Sequence, residues 1–191
     1  MPFINPFDEI ELLSDPCKAA LRAVVQSKKY RKGHFLVFPG QINDKLYYIE
    51  TGLVRVFSES DSDKIITSWF AQEGGFVCSV QSFFNQKPSF ESVQLVEDSQ
   101  LWVISYADFG RMLVEFPELN LHFRKIYERY LVAYDARVYL LREATPIKKY
   151  EAFLKLHPKL AHRLQRKHIA QFLNINQSTL SKTPKLLKNK G

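Results

Sequence analysis

The longest periodic pattern of apolar positions lies between residues 118 and 142. Leu119, Phe123, Ile126, Tyr130, Ala133, Arg137 and Leu140 recur at alternating spacings of four and three, which is a heptad seam. Tyr127, Leu131, Tyr134, Val138 and Leu141 form a second stripe beside it. The pattern predicts one helix of about 24 residues, roughly 36 Å long. A single small domain covers one such stripe, and the other calls for a partner, most simply the same helix of a second copy. The expected self-interface is Phe123, Ile126, Tyr130, Ala133, Arg137 and Leu140.

Ahead of this helix the texture is different. From Lys28 to Ile104, short runs rich in Tyr, Phe, Val and Ile are each closed by turn residues, among them Lys32-Gly33, Pro39-Gly40, Asn43-Asp44, Thr51-Gly52 and Gly74-Gly75. Many short strands at that spacing predict a sandwich or barrel. Asp15-Pro16, an N-cap followed by proline, opens a short amphipathic helix through Cys17, Leu21, Val24 and Val25. Ser105, with Asp108 three residues on, opens another in the manner of a capping box; Phe109, Met112 and Leu113 face inward and Pro117 follows its end.

Behind the long helix, Pro146 marks a hinge, and QRKHIAQFLNINQSTLSKTPKLL, from Gln165 to Leu187, carries its apolar residues at Ile169, Phe172, Leu173, Ile175 and Leu180. That is one face of a helix, a break, and one face of a second helix: a helix-turn-helix pattern. Ala170 is small where the helices press together, Asn174 suits a left-handed turn, and Asn176 suits an N-cap. Pro184 falls eight residues into the second helix, where it removes a backbone bond and clashes with the preceding turn. The expectation is a kink or stop by Thr183.

Charge changes the picture. From Arg142 onward, twelve Lys or Arg stand against Glu143 and Glu151, leaving +10; residues 1–141 hold fifteen basic and eighteen acidic residues, leaving −3. The whole of the +7 therefore comes from the last quarter of the chain, on the helix-turn-helix pattern, as expected of a polyanion binder. At 191 residues and 46% hydrophobic, the chain has enough apolar material for a sizeable core and a small second domain. No leader-like start or membrane-length apolar run occurs, so a cytoplasmic protein that meets no membrane is expected. Cys17 and Cys78, with five scattered His, suggest neither a metal site nor a cofactor. No nucleophile, base and orienting acid stand together, so an enzyme is not expected.

One resemblance brings these parts together. YRKGHFLVFPGQINDKLYYIETGLVRVF resembles the start of a cyclic-nucleotide-binding β-roll, with Gly33, Gly40 and Gly52 at matching turns. With the helix-turn-helix, the chain resembles the Crp/Fnr superfamily of bacterial transcription regulators over nearly its full length. The resemblance implies an α+β fold: a jelly-roll-like β-roll sensor domain over 1–117, a long dimerisation helix over 118–143, and a basic helix-turn-helix DNA-binding domain over 144–191. It implies a homodimer on double-stranded DNA. Gln177, Ser178, Ser181 and Lys182 would reach bases, and Arg163, Arg166, Lys167 and His168 would hold phosphates; Lys185, Lys188 and Lys190 would run along the DNA backbone.

The same resemblance speaks against cyclic AMP. Relatives that bind it use a Gly-Glu pair for the ribose and an Arg about ten residues later for the phosphate, whereas here Cys78 and Ser79 stand at the first positions and Ser89 at the second. A buried phosphate would lack its bidentate, charge-assisted partner. Phe76, Phe83, Phe84 and Phe90 make the segment apolar, either as filling of the roll or as the lining for an unidentified, greasier small-molecule effector. The candidate pocket is Phe76, Ser79, Phe83, Ser89 and Phe90. The rival to a DNA-binding regulator is a ligand-sensing or scaffolding roll whose helix-turn-helix is degenerate at Pro184.

Overall fold

The computed structural model describes Phe7, residues 12–60 and residues 63–188, without the side chains of 183–188. Its helices and strands group into two compact units: residues 1–58 with 69–128, and residues 59–68 with 129–191. The division falls inside the long helix and gives the tip of one hairpin to the C-terminal unit. From the sequence, the joints lay at the two ends of that helix.

The first unit opens with α1 (Asp15–Val24). Its N-cap is Ser14, one residue earlier than the expected Asp15, and the Ser14 hydroxyl accepts from the Cys17 amide at 3.3 Å. Asp15 takes the first helical position instead, where a carboxylate faces the positive end of the helix dipole. Eight strands follow: β1 (Gln26–Tyr30), β2 (Phe35–Val37), β3 (Lys45–Thr51), β4 (Leu53–Glu59), β5 (Ile65–Gln72), β6 (Phe76–Val77), β7 (Ser92–Leu95) and β8 (Ser99–Ser105). They form two four-stranded sheets, ordered β1-β8-β3-β6 and β2-β7-β4-β5. Alternate residues of the strands meet between the sheets: Tyr47 and Ile49, Val54 and Val56, Val93 and Leu95, Leu101 and Val103 share one core with Val37, Ala71 and Val77.

A second, aromatic layer lies on the far side of β3. The short helix α2 (Val80–Asn85), α3 (Tyr106–Glu115) and the first turns of α4 (Glu118–Arg142) bring rings together there. Phe123 meets Phe109 at 4.8 Å and Phe7 at 5.3 Å, Phe76 meets Tyr48 at 5.2 Å, and Phe83 meets Phe109 at 5.6 Å between centroids. Ser105 caps α3: the Asp108 amide donates to Ser105 Oγ at 3.0 Å, and the Ser105 hydroxyl donates to the Asp108 carboxylate at 2.7 Å in place of the reciprocal backbone bond of a capping box. Phe109 and Met112 are buried on its inner face.

Gly52, in the β3–β4 turn, has φ +112°, and a Cβ there would collide with Ser99, whose Cα lies 2.9 Å away. Gly52→Ala is expected to lose on the order of 1–3 kcal/mol from backbone conformation alone, and more from the collision. A fall in the urea midpoint at unchanged slope would show it. An unaltered midpoint would mean that the turn re-forms around the methyl group.

The second unit holds the rest of α4, then α5 (Pro146–Leu156), α6 (Pro158–Arg163), α7 (Arg166–Leu173) and α8 (Gln177–Lys188). Pro146 begins a helix capped by Thr145, whose hydroxyl accepts from the Lys148 amide. Phe153, Leu160, Ile169, Ala170, Phe172, Leu173 and Leu180 are buried here. Helix α8 does not stop at Thr183; it continues past Pro184 to Lys188. The fixed φ of proline is helical, so the helix continues despite the lost N–H bond and the clash with the preceding turn.

Candidate nucleic-acid interface and the serine pair of the roll

The helix-turn-helix is built as its residues predict. Asn174 caps α7 in the left-handed conformation, φ 52° and ψ 47°, and the Ile175 amide reaches back to the Ala170 carbonyl at 3.0 Å. That six-residue closure satisfies a carbonyl otherwise orphaned at the helix end and turns the chain toward α8. The first bond of α8 runs from the Leu180 amide to the Asn176 carbonyl. Helices α5 and α7 pack against α8, and Leu180 is fully buried between them, 1% exposed.

Of the eight residues assigned to DNA, five are exposed: Arg166, Lys167, Gln177, Ser178 and Lys182. Arg163 is half-buried. Ser181, also half-buried, donates its hydroxyl to the Gln177 carbonyl at 3.0 Å, so only its lone pairs remain for a base. His168 departs from expectation: it is buried among Ile169, Ala170 and Phe172 rather than facing a phosphate. Its place on α7 is one residue before the apolar stripe, and the helix turns it inward. The side chains of Lys185, Lys188 and Lys190 lie outside the described residues.

The long helix reverses the expected assignment of its two stripes. Phe123, Ile126, Arg137 and Leu140, four of the six expected interface residues, are buried within the chain itself; Tyr130 and Ala133 are half-buried. Of the second stripe, Leu131 is 72%, Tyr134 55% and Tyr127 43% exposed, while Val138 and Leu141 are half-buried. Periodicity shows that two stripes exist, but only packing determines which of them the chain covers.

Arg137 is the largest departure. Its Nε donates to the Ser68 carbonyl at 2.7 Å, its two terminal nitrogens donate to the Thr67 carbonyl at 2.7 Å and the Phe172 carbonyl at 3.1 Å, and its guanidinium lies 4.1 Å above the Phe172 ring. Burial pushes its pKa down to about 10, which leaves it charged at neutral pH. A charged residue in an otherwise apolar seam was the available sequence signal. Lys64, which sequence reasoning did not reach, donates to the Asn174 side chain at 2.7 Å.

His157 sits with Phe153 and Phe172 at 5.5 and 5.9 Å, and burial first, then the Arg137 charge, hold its pKa below the usual value. A depressed folded value means that its stability contribution is complete above the unfolded pKa, about 6.5, and is lost as the pH falls through the folded one. Thermal stability is expected to drop on acidification below about 6.5, and His157→Phe to flatten that drop. An unchanged pH profile in the variant would assign the acid sensitivity elsewhere.

In the roll, the two positions aligned with a nucleotide-binding Glu and Arg do face each other. Ser79 and Ser89 are buried and their hydroxyls are 2.8 Å apart. The Ser79 amide donates to Asn43 Oδ1 at 2.6 Å, and Ser89 Oγ lies 2.8 Å from the Glu91 carbonyl. The pair is neutral and self-satisfied. Phe76 and Phe83 are core residues in the aromatic layer, while Phe90, expected in the pocket, is 55% exposed.

Residues 27–116 match the cyclic nucleotide-binding domain family. Known structures share the fold. A c-di-GMP-responsive global regulator from Xanthomonas campestris superposes with TM-score 0.76 at 16% identity, covering 93% of each chain. A regulator of the crp/fnr family from Eubacterium rectale gives 0.77 at 13%, covering 98% of this chain and 89% of the other. The chain has the fold of the Crp/Fnr regulators. An anaerobic regulatory protein from Bacillus subtilis is 23% identical over 122 residues, which is 64% of this chain and 51% of the relative. This chain thus aligns with about half the length of that curated relative.

Within the Crp/Fnr fold the serine pair has a direct consequence. Millimolar cyclic AMP is expected to leave the melting temperature unchanged, since neither a carboxylate nor a guanidinium stands at the two facing positions. A ligand that binds only the folded state, at a hundredfold its dissociation constant, adds about 2.7 kcal/mol. A clear shift at micromolar cyclic AMP would overturn this reading of the cassette. Among the described residues no group of His, Cys, Asp and Glu is arranged to hold a metal ion, and no helix is long and apolar enough to cross a membrane.

Proposed function

We propose that the chain is a homodimeric, DNA-binding transcription regulator that does not respond to cyclic AMP. The observation that carries the reading is the exposed row of Arg166, Lys167, Gln177, Ser178 and Lys182 on α7 and α8, in the segment that holds all of the chain's excess positive charge. The start of α8 offers the positive end of a helix dipole to a phosphate-lined groove. Gln177 suits an adenine edge and Lys182 a guanine, while Arg166 and Lys167 suit phosphates. Self-association along the outer stripe of α4 would give two such helices about one DNA turn apart, roughly 34 Å, and select a two-fold-symmetric site. The fold is that of regulators, and the relatives named above are regulatory proteins. The continuation of α8 beyond Pro184 supports a second helix long enough to enter a groove. The test is a fluorescence-anisotropy titration with random duplex DNA at low salt, followed by selection of a preferred sequence. No binding at low salt would end the proposal in favour of a roll that senses or scaffolds without DNA.

A further inference from the structure

Strand β5 is the last strand in the order of its sheet among the described residues. Arg137 takes the Thr67 and Ser68 carbonyls of that strand. With its remaining nitrogen it takes the Phe172 carbonyl, one of the four at the C-terminal end of α7 that no helix amide can satisfy. One planar fork thus joins a hairpin strand to the helix end that leads directly into the turn and α8. Lys64, from the same hairpin, reaches the turn residue Asn174. Both cations sit at the negative end of the α7 dipole. Among the described residues, the hydrogen-bond partners of Arg137 are all carbonyl oxygens and none is a carboxylate, so its charge is held by dipoles and by the Phe172 ring.

We propose that Arg137 is a positioning residue for DNA binding: it latches the β4–β5 hairpin to the end of α7, and the latch sets where α7 and α8 stand. The proposal rests on the DNA-binding reading above for its consequence, though not for the latch itself. Arg137 touches no DNA in this arrangement; it acts through the helix it holds. A lysine at 137 keeps the charge but, as a single ammonium on a flexible stem, does not span three carbonyls. Strands β4 and β5 run covalently from the first unit into this one.

The experiment compares the full-length parent with Arg137→Lys, and with Thr67→Val as a control. Thr67 Oγ1 is buried with no hydrogen-bond partner among the described residues, so its loss leaves the carbonyl contact intact. Hydrogen exchange, read at a temperature where circular dichroism shows all three proteins folded, is expected to speed up at the end of α7 and the start of α8 in Arg137→Lys only. Affinity for duplex DNA is expected to fall about tenfold in that variant, with the salt slope and the titrated active fraction unchanged. Unchanged exchange in α7 and α8 would overturn the latch, whatever DNA does. Faster exchange with unchanged affinity would overturn the positioning role. A smaller active fraction at unchanged affinity would do the same, reducing Arg137 to a stability residue. Failure of the parent to bind DNA at low salt would overturn the nucleic-acid reading and the positioning role with it, while the exchange result alone would still decide the latch.

Discussion

Leu131→Glu is expected to convert a dimer into a monomer that remains folded. Leu131 is 72% exposed in the single chain, on the same helix face as Tyr134 and Tyr127, so a carboxylate there costs the isolated fold almost nothing. In a two-fold seam it enters twice, and an unpaired charge in an apolar interface costs several kcal/mol per copy. Sedimentation should report a dimer for the parent and a monomer for the variant, with nearly equal melting temperatures at low concentration. DNA affinity should then fall by about two to four powers of ten, because the second half-site is no longer bound intramolecularly. Ile126→Glu makes the contrast: Ile126 is 6% exposed, so that change should unfold the first unit rather than separate two copies. A monomeric parent at micromolar concentration would refute the self-association proposal.

The division of DNA binding between charge and sequence gives the other large effect. Twelve basic residues lie beyond Leu141, but many face away from any one duplex. If three to five phosphates are neutralised per subunit, a dimer neutralises about six to ten, and log affinity should fall against log salt with a slope near −5 to −9. Binding should be nearly lost at high salt. Lys167→Ala, at an exposed position, should weaken binding to every sequence alike and flatten the slope by about two for the dimer. Gln177→Ala should leave the slope alone and relax discrimination at one base pair per half-site by about 1–3 kcal/mol. Weak binding that Gln177→Ala leaves untouched on every sequence tried would mean that the unit holds DNA without reading it.

Local chemistry alone determined a good deal of this protein. The N-cap at Ser105, the left-handed Asn174, the strand runs and the 25 residues of α4 were all legible, because a cap, a positive φ and an amphipathic period depend on residues close in sequence. That Ser79 and Ser89 stand where relatives that bind cyclic AMP carry Glu and Arg was legible only through the resemblance to a known family. What only the tertiary structure decided were choices between equivalent surfaces. Two apolar stripes run along α4, and the sequence pattern does not say which the chain covers; the first half of α4 buries Phe123 and Ile126, brings the Tyr127 ring to Phe84 and Phe123, and leaves Leu131 and Tyr134 exposed. His168 lies one residue from exposed Lys167, and a turn of about 100° separates a phosphate ligand from a core residue. Arg137 read as part of a seam because its spacing fits. Its partners lie 69, 70 and 35 residues away in sequence, and contacts at that separation exist only once the hairpin and α7 have come together around the guanidinium.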